Sequence, residues 1–269
     1  MERLLIVENL EKRYERMHAF ENKKVVTALQ GVSFSIGQGS TLALVGESGS
    51  GKSTLGLCIA GLERPTSGKI VFNGNEITDL DEKQLREVRR QIQLVFQDPA
   101  RALNPRFSAL EIVSEPLLVQ GRLDKREREA RARVLFEQVG IPQEKALQQA
   151  NEFSGGQRQR LAIARALALK PKLLILDEAL SALDCSVQAQ IANLLMELQA
   201  SLGLTYLFIT HDFKMAGHLA DEIAVMEQGK VIEHGATDKV LRTPGQEVTR
   251  RLIAATPRLA AEAPAPRAV

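Results

Sequence analysis

The sequence predicts an α/β fold built on a mainly parallel sheet, and two observations carry that expectation. Over the last third of the chain, short continuous apolar runs of the kind a strand buried on both faces requires alternate with helix-forming stretches. Earlier, the apolar run Thr41–Val45 leads through a glycine-rich segment straight into a helical stretch, the strand–turn–helix step of an α/β unit.

The elements follow in order. Residues 4–8 form a short apolar strand. Residues 25–36 end in alternation, with Val32, Phe34 and Ile36 on one face and Ser33 and Ser35 on the other, which is the period of a half-buried strand. Gly37 to Gly39 make a turn, Thr41–Val45 a buried strand, and a helix runs from Lys52 to about Leu62. Turn signals at 65–68 and at Asn73-Gly74 bracket a strand over 69–72. A charged helix spans 81–90 and a buried strand 92–96. Helices over 109–119 and 122–140, parted by Gly121 and closed by Pro142, belong to a helical insert of about 98–165. Its stretch RLDKREREARAR reads as a solvated helix face. Strands at 172–176 and 204–210 then alternate with helices at 187–202 and 213–220. Two short strands, 222–226 and 230–233, are split by Gln228-Gly229. The Ala- and Pro-rich tail, 256–269, is expected to be disordered, leaving 1–255 as one domain.

Composition excludes several classes. With 269 residues, 44% hydrophobic and 25% charged, the chain is neither disordered, collagen-like nor a small disulfide scaffold. A net charge of +2 gives no argument for nucleic acid or an anionic membrane. Two cysteines without a CxxC pair indicate a reducing compartment and no cysteine-based zinc or iron–sulfur site. Cys58, on an apolar helix face, reads as core, and Cys185 as a small filler. No apolar run approaches the ~20 residues of a membrane helix, and the first residues are too short an apolar run for a signal peptide, so a cytoplasmic chain is expected. The absence of Trp and 4% aromatics disfavour base-stacking surfaces.

Three segments carry chemistry. Gly46, Glu47, Ser48, Gly49, Ser50, Gly51, Lys52, Ser53 and Thr54 match the phosphate loop G-x-x-x-x-G-K-[ST], in its required place between a buried strand and a helix. Backbone N–H groups and the helix N-terminus suit phosphate oxygens, Lys52 can reach the β- and γ-phosphates, and the Ser53 hydroxyl can bind Mg²⁺. The apolar strand ending in Asp177-Glu178 supplies a carboxylate for the Mg²⁺ shell, Asp177, and one to polarise an attacking water, Glu178. In Phe153-Ser154-Gly155-Gly156-Gln157, Ser154 is a candidate helix cap that opens a second anion-binding helix terminus, the alternative being an ordinary capped loop.

FSGGQ, between the phosphate loop and the Asp177-Glu178 strand, resembles the signature of ATP-binding-cassette (ABC) ATPases. On that resemblance Tyr14 is the aromatic that stacks on adenine, with Phe20 as the rival. Gln97 is the glutamine that touches Mg²⁺ and the attacking water, Ser181 to Asp184 is the loop that crosses between subunits, and His211 is the switch histidine at the γ-phosphate. Alone, His211 also reads as a core histidine. The resemblance covers about residues 4–255. It implies a RecA-like P-loop core with an antiparallel β subdomain and a helical subdomain. It also implies a head-to-tail dimer in which Ser154, Gly155, Gly156 and Gln157 act on the partner's ATP.

The stretches from Gln97 to Arg106 and Ser181 to Gln190, with the tail 243–257, are similar to the dipeptide, oligopeptide and nickel importer branch. That branch implies a sister ATPase chain or second copy, two membrane permeases and a solute-binding protein, at the cytoplasmic face of the inner membrane, with no nucleic-acid partner. Two features depart from it: Phe153 stands where Leu is usual, and no cysteine cluster follows Cys185. An exporter ATPase, or a non-transport ABC ATPase on nucleic acid or ribosomes, is the alternative. The spacing leaves no room for the coiled coil of DNA-organising members, and one cassette is not the two of ribosome-acting ones.

Overall fold

Period-two patterning decides which layer each strand side chain joins. The computed structural model describes residues 2–16, 24–98, 102–121 and 123–256. Strands β1 (Arg3–Arg16), β2 (Lys24–Gly37), β4 (Ser67–Phe72) and β5 (Asn75–Glu76) form an antiparallel sheet in the order β2-β1-β4-β5. The second sheet contains β3 (Thr41–Val45), β6 (Ile92–Val95), β7 (Leu173–Asp177), β8 (Thr205–Thr210), β9 (Glu222–Glu227) and β10 (Lys230–Ala236). Its order is β10-β9-β3-β8-β7-β6, parallel except for β10.

Alternate residues of these parallel strands serve two cores. Leu42, Leu44, Ile175, Leu207 and Ile209 face the antiparallel sheet and helix α1 (Lys52–Ile59), joined by Leu5, Leu10 and Leu55. Their neighbours Ala43, Val45, Leu174, Leu176 and Phe208 face the opposite, helical side. Each fully buried Leu or Phe contributes about 1.5–3 kcal/mol relative to exposure, so a register slip of one residue would cost both cores at once. This two-sided burial is why the strands read as unbroken apolar runs. Thr41, Thr205 and Thr210 are buried at the strand ends, and within β8 the Tyr206 hydroxyl donates to the Leu195 carbonyl at 2.9 Å.

Helix α2 (Glu82–Gln91) precedes β6. The helical side holds α3 (Ala109–Gln120), α4 (Lys125–Val139), two 3₁₀ turns (Gln143–Leu147 and Ala150–Glu152) and α5 (Gly155–Leu167). Capping boxes start three of these helices: Ser108 with Glu111, Asp124 with Glu127, and Ser154 with Gln157. Gly121 and Gly140 close α3 and α4 in the left-handed conformation that costs glycine least. Helices α6 (Cys185–Leu202), α7 (Phe213–Leu219), α8 (Thr237–Arg242) and α9 (Glu247–Ala255) complete the chain.

Three expectations change. The first strand, expected over 4–8, runs from Arg3 to Arg16. Phe96 lies past the end of β6 and is 44% exposed, because β6 is an edge strand rather than a central one. Cys185 is exposed at the first turn of α6 and is no filler, whereas Cys58 is buried as expected. Apart from Thr256, the tail expected to be disordered lies outside the described residues, as does Phe20.

Candidate active site

Parallel pairing in the order β3-β8-β7-β6 brings four loops to one edge of the sheet. The glycine-rich loop follows β3, His211 follows β8, Asp177-Glu178 ends β7, and Gln97 lies just beyond β6. Carboxyl ends of parallel strands are where open α/β sheets bind ligands.

The loop from Gly46 to Gly51 is pinned from two sides. A side chain at Gly46 would stand 2.1 Å from the Met226 carbonyl. At Gly51, where φ is +103°, one would stand 2.4 Å from the Ala28 carbonyl, so only glycine fits either place. The Gly229 N–H donates to the Ser50 carbonyl at 2.9 Å, tying the β9–β10 turn to the loop. Ser50 is buried, while Glu47, Ser48 and Gly49 are exposed. Lys52 is buried and folds back on its own loop, donating from Nζ to the carbonyls of Gly46 and Glu47, each at 2.8 Å. Burial lowers its pKa, against the pull of the Glu178 and Asp177 carboxylates. Behind it α1 begins with no side-chain cap and no acidic residue in its first turn, so its leading N–H groups remain available to an anion. Thr54 lies in this first turn.

Two carboxylates meet the loop differently. Asp177 accepts a hydrogen bond from the Ser53 hydroxyl, Oγ to Oδ1 at 3.0 Å, and burial raises its pKa. Glu178 sits in the left-handed region, φ 47°, with its N–H donating to the Ile209 carbonyl at 2.9 Å. That backbone turn aims its carboxylate between two neighbours. Gln97 Nε2 donates to Oε2 at 2.8 Å, and His211 Nδ1 lies 3.6 Å from Oε1. Gln97 is thus engaged with Glu178 and not with the Ser53–Asp177 pair. Ser181 donates its hydroxyl to the Glu178 carbonyl at 2.9 Å, and Asp184 caps α6.

The segment Ser154 to Gln157 lies elsewhere. Ser154 is the N-cap of α5, and the Gln157 side chain accepts from the Ser154 N–H at 3.2 Å and from Lys145 Nζ at 3.3 Å. Phe153 is buried beneath it, while Ser154 and Gly155 face solvent. A side chain at Gly156 would stand 2.6 Å from Val187 Cγ1, so glycine lets the starts of α5 and α6 touch. No hydrogen bond of Ser154 or Gln157 among the described residues runs to the glycine-rich loop. Tyr14 pairs with Val26, two residues along β2 from the Ala28 carbonyl that covers Gly51, and Lys12 Nζ lies 4.8 Å above its ring.

One contact has no signal in the sequence. Arg251 of α9 approaches Glu47 of the loop at 3.4 Å and Glu227 at 3.8 Å, over a small cleft of about 120 Å³. Glu233 of β10 holds α9 in place by accepting from the N–H groups of Gly245 and Gln246.

Comparison with known proteins adds four findings. The family model described as "ABC transporter" matches residues 29–181. The chain is 44% identical over 257 residues to the dipeptide transport ATP-binding protein DppF of Escherichia coli K12, covering 95% of this chain and 77% of DppF. It is 45% identical over 258 residues to the glutathione import ATP-binding protein GsiA of Escherichia coli O6:H1, covering 95% of this chain but 41% of GsiA. Among solved structures, the dimeric ATP-binding cassette MJ0796 with ADP and Pi bound is 33% identical, with a TM-score of 0.77, covering 87% of this chain and 98% of that one.

Proposed function

The chain belongs to the ABC transporter family, and from that premise we propose that it is the ATP-hydrolysing subunit of a peptide importer. One observation carries the reading most: Ser53 with Asp177, and Gln97 with Glu178 and His211, meet at the carboxyl ends of adjacent parallel strands beside Lys52. Phosphoryl transfer to water needs those parts together: a phosphate cradle, a cation site and a base for the water.

The loop and the N-terminus of α1 bind the phosphates, and Lys52 exchanges its contacts to Gly46 and Glu47 for phosphate oxygens. Ser53 and Asp177 form a hard-oxygen pair that fits Mg²⁺. Among the described residues no cluster of three or more His, Cys, Asp or Glu could hold a metal, so the remaining ligands would be phosphate and water, as Mg²⁺ prefers. When bound, the ion neutralises charge on the phosphates. Glu178 accepts the proton of the attacking water, Gln97 orients that water, and His211 contacts the γ-phosphate. Tyr14 stacks on adenine.

Ser154, Gly155, Gly156 and Gln157 serve the ATP of a second cassette, which supports a dimer of this chain with a sister subunit or a second copy. The exposed N-terminus of α5 then adds donors to charge that grows in the transition state. Partners are two membrane permeases and a solute-binding protein, and the chain sits at the cytoplasmic face of the membrane. No helix among the described residues is long and apolar enough to cross it. Relatives named for dipeptide and glutathione transport favour peptides over nickel as cargo. The test is reconstitution with the permeases. Peptide delivered by the binding protein should stimulate ATP hydrolysis and enter vesicles; uptake that proceeds without this chain would refute the proposal.

A further inference from the structure

At the other end of the parallel sheet lies a cavity that none of this machinery uses. It has a volume of about 710 Å³ and opens between α4 and the residues that lead into β3, β7 and β8, namely Gln38, Lys172 and Leu204. The nucleotide machinery follows the opposite, carboxyl ends of those strands. Ligand pockets run from ~300 to 1,000 Å³, so this one is of small-molecule size.

Its lining joins an apolar floor to a polar rim in which Gln38, Gln138 and Ser201 accompany the charged side chains. Leu135, Leu167 and Leu204 are buried and give an apolar floor. Val134 and Leu202 extend that floor to the mouth, where they stand 54% and 44% exposed. The charged lining residues are Arg131, Lys170 and Lys172, and no carboxylate joins them. Other part-buried arginines described on the helical side have acceptors: Arg165 meets Glu115 at 2.9 Å, and Arg160 donates to the Val139 carbonyl. Arg131 is half-buried without such an acceptor among the described residues, and burial alone works against its charge. Lys170 holds a left-handed backbone, φ 53°, where glycine or asparagine would be less strained. Apolar walls with only positive charge at the rim complement an apolar body with an anionic head.

We propose that this cavity binds a free single-chain anionic amphiphile, its head on Arg131 and Lys170 and its body on Leu135, Leu167 and Leu202. The site spans α4 on the helical side and the core strands, so occupancy ties the two together and stabilises the folded chain by linkage.

The purified full chain is titrated with 1-anilinonaphthalene-8-sulfonate. The proposal predicts saturable binding of about one probe per chain, displaced by dodecanoate but not by dodecyltrimethylammonium, with a rise in Tm. Arg131→Glu and Lys170→Glu should each weaken it at least tenfold while ATP binding is retained, and the lysine variant alone decides if the arginine variant does not fold. Binding that is not saturable, that survives the charge reversals, or that the cationic amphiphile displaces equally well would overturn the proposal. So would co-sedimentation with anionic phospholipid vesicles that both substitutions abolish while dodecanoate fails to displace the probe, since the occupant would then be a membrane surface.

Discussion

Replacing Glu178 by Gln changes one property of the site and keeps the rest. The amide has the same shape, its oxygen can still accept from Gln97 Nε2, and the backbone that sets φ at 47° is untouched. What it loses is the ability to take a proton from water. General-base assistance is worth roughly 10²–10⁴ in rate. At ~1.36 kcal/mol per factor of ten, that is about 2.7–5.4 kcal/mol on the barrier. Nucleotide binding should survive, because Lys52 and the loop donors remain. The assay is single-turnover hydrolysis in the assembled transporter, with the substitution in this chain alone and bound nucleotide counted in parallel. Gln97 Nε2 donates to the same carboxylate, so adding Gln97→Ala should cost far less than it does in the parent. Hydrolysis within a factor of about three of the parent at the affected site, or fully additive losses, would refute the role given to Glu178.

The other substitutions probe the loop, the buried carboxylate and the thiols. Lys52→Ala removes a charge-assisted contact worth about 1.5–3 kcal/mol, so ATP affinity measured by calorimetry should fall roughly 10- to 100-fold; equal affinity contradicts the assignment. Burial raises the Asp177 pKa, so the folded chain holds that proton more tightly than the unfolded chain. Its contribution to stability is full below the unfolded value and is lost as pH rises through the folded one. In the absence of nucleotide, Asp177→Asn should therefore raise Tm at pH 7, with the gain shrinking toward about pH 4, while hydrolysis is lost. A lowered Tm at pH 7 would show that the carboxylate stabilises the empty site. The Cys58 thiol is pushed up to about 11 by burial, while Cys185 is exposed. A thiol reagent at pH 8 should label Cys185 alone in the native chain and both after denaturation, and fast native labelling at Cys58 would contradict its place in the core.

Strands buried on both faces announce themselves, because their interior residues must be apolar on both sides; Thr41–Val45 and Thr205–Thr210 are legible for that reason. The loop after β3 and the cap at Ser154 were legible because glycine and serine stand where left-handed backbone and a free N–H demand them. Most of β1 was not. It runs to Arg16 through a charged stretch that lies in an antiparallel sheet with bulges, where neither an unbroken run nor a clean alternation survives. The exposed Phe96 shows the converse error, since an apolar run does not say whether its strand is central or at the edge. Sequence motifs named Gln97, Glu178 and His211 separately, but their meeting at one carboxylate follows only from the strand order. The approach of Arg251 to Glu47 joins chain segments 204 residues apart and left no mark in any local pattern.

The central claim is that one nucleotide is gripped by two chains, and Ser154→Arg tests it most directly. Ser154 is exposed at the start of α5, so an arginine there costs that helix its serine cap, about 0.5–2 kcal/mol, but leaves the glycine-rich loop intact and blocks approach of a second cassette. ATP affinity of the purified chain is measured beside ATP hydrolysis in the assembled transporter. The account predicts affinity unchanged within about threefold and hydrolysis lost at the site that this segment completes. Lost affinity in the single chain, or full hydrolysis with the substitution in place, would show that the site is complete within one chain.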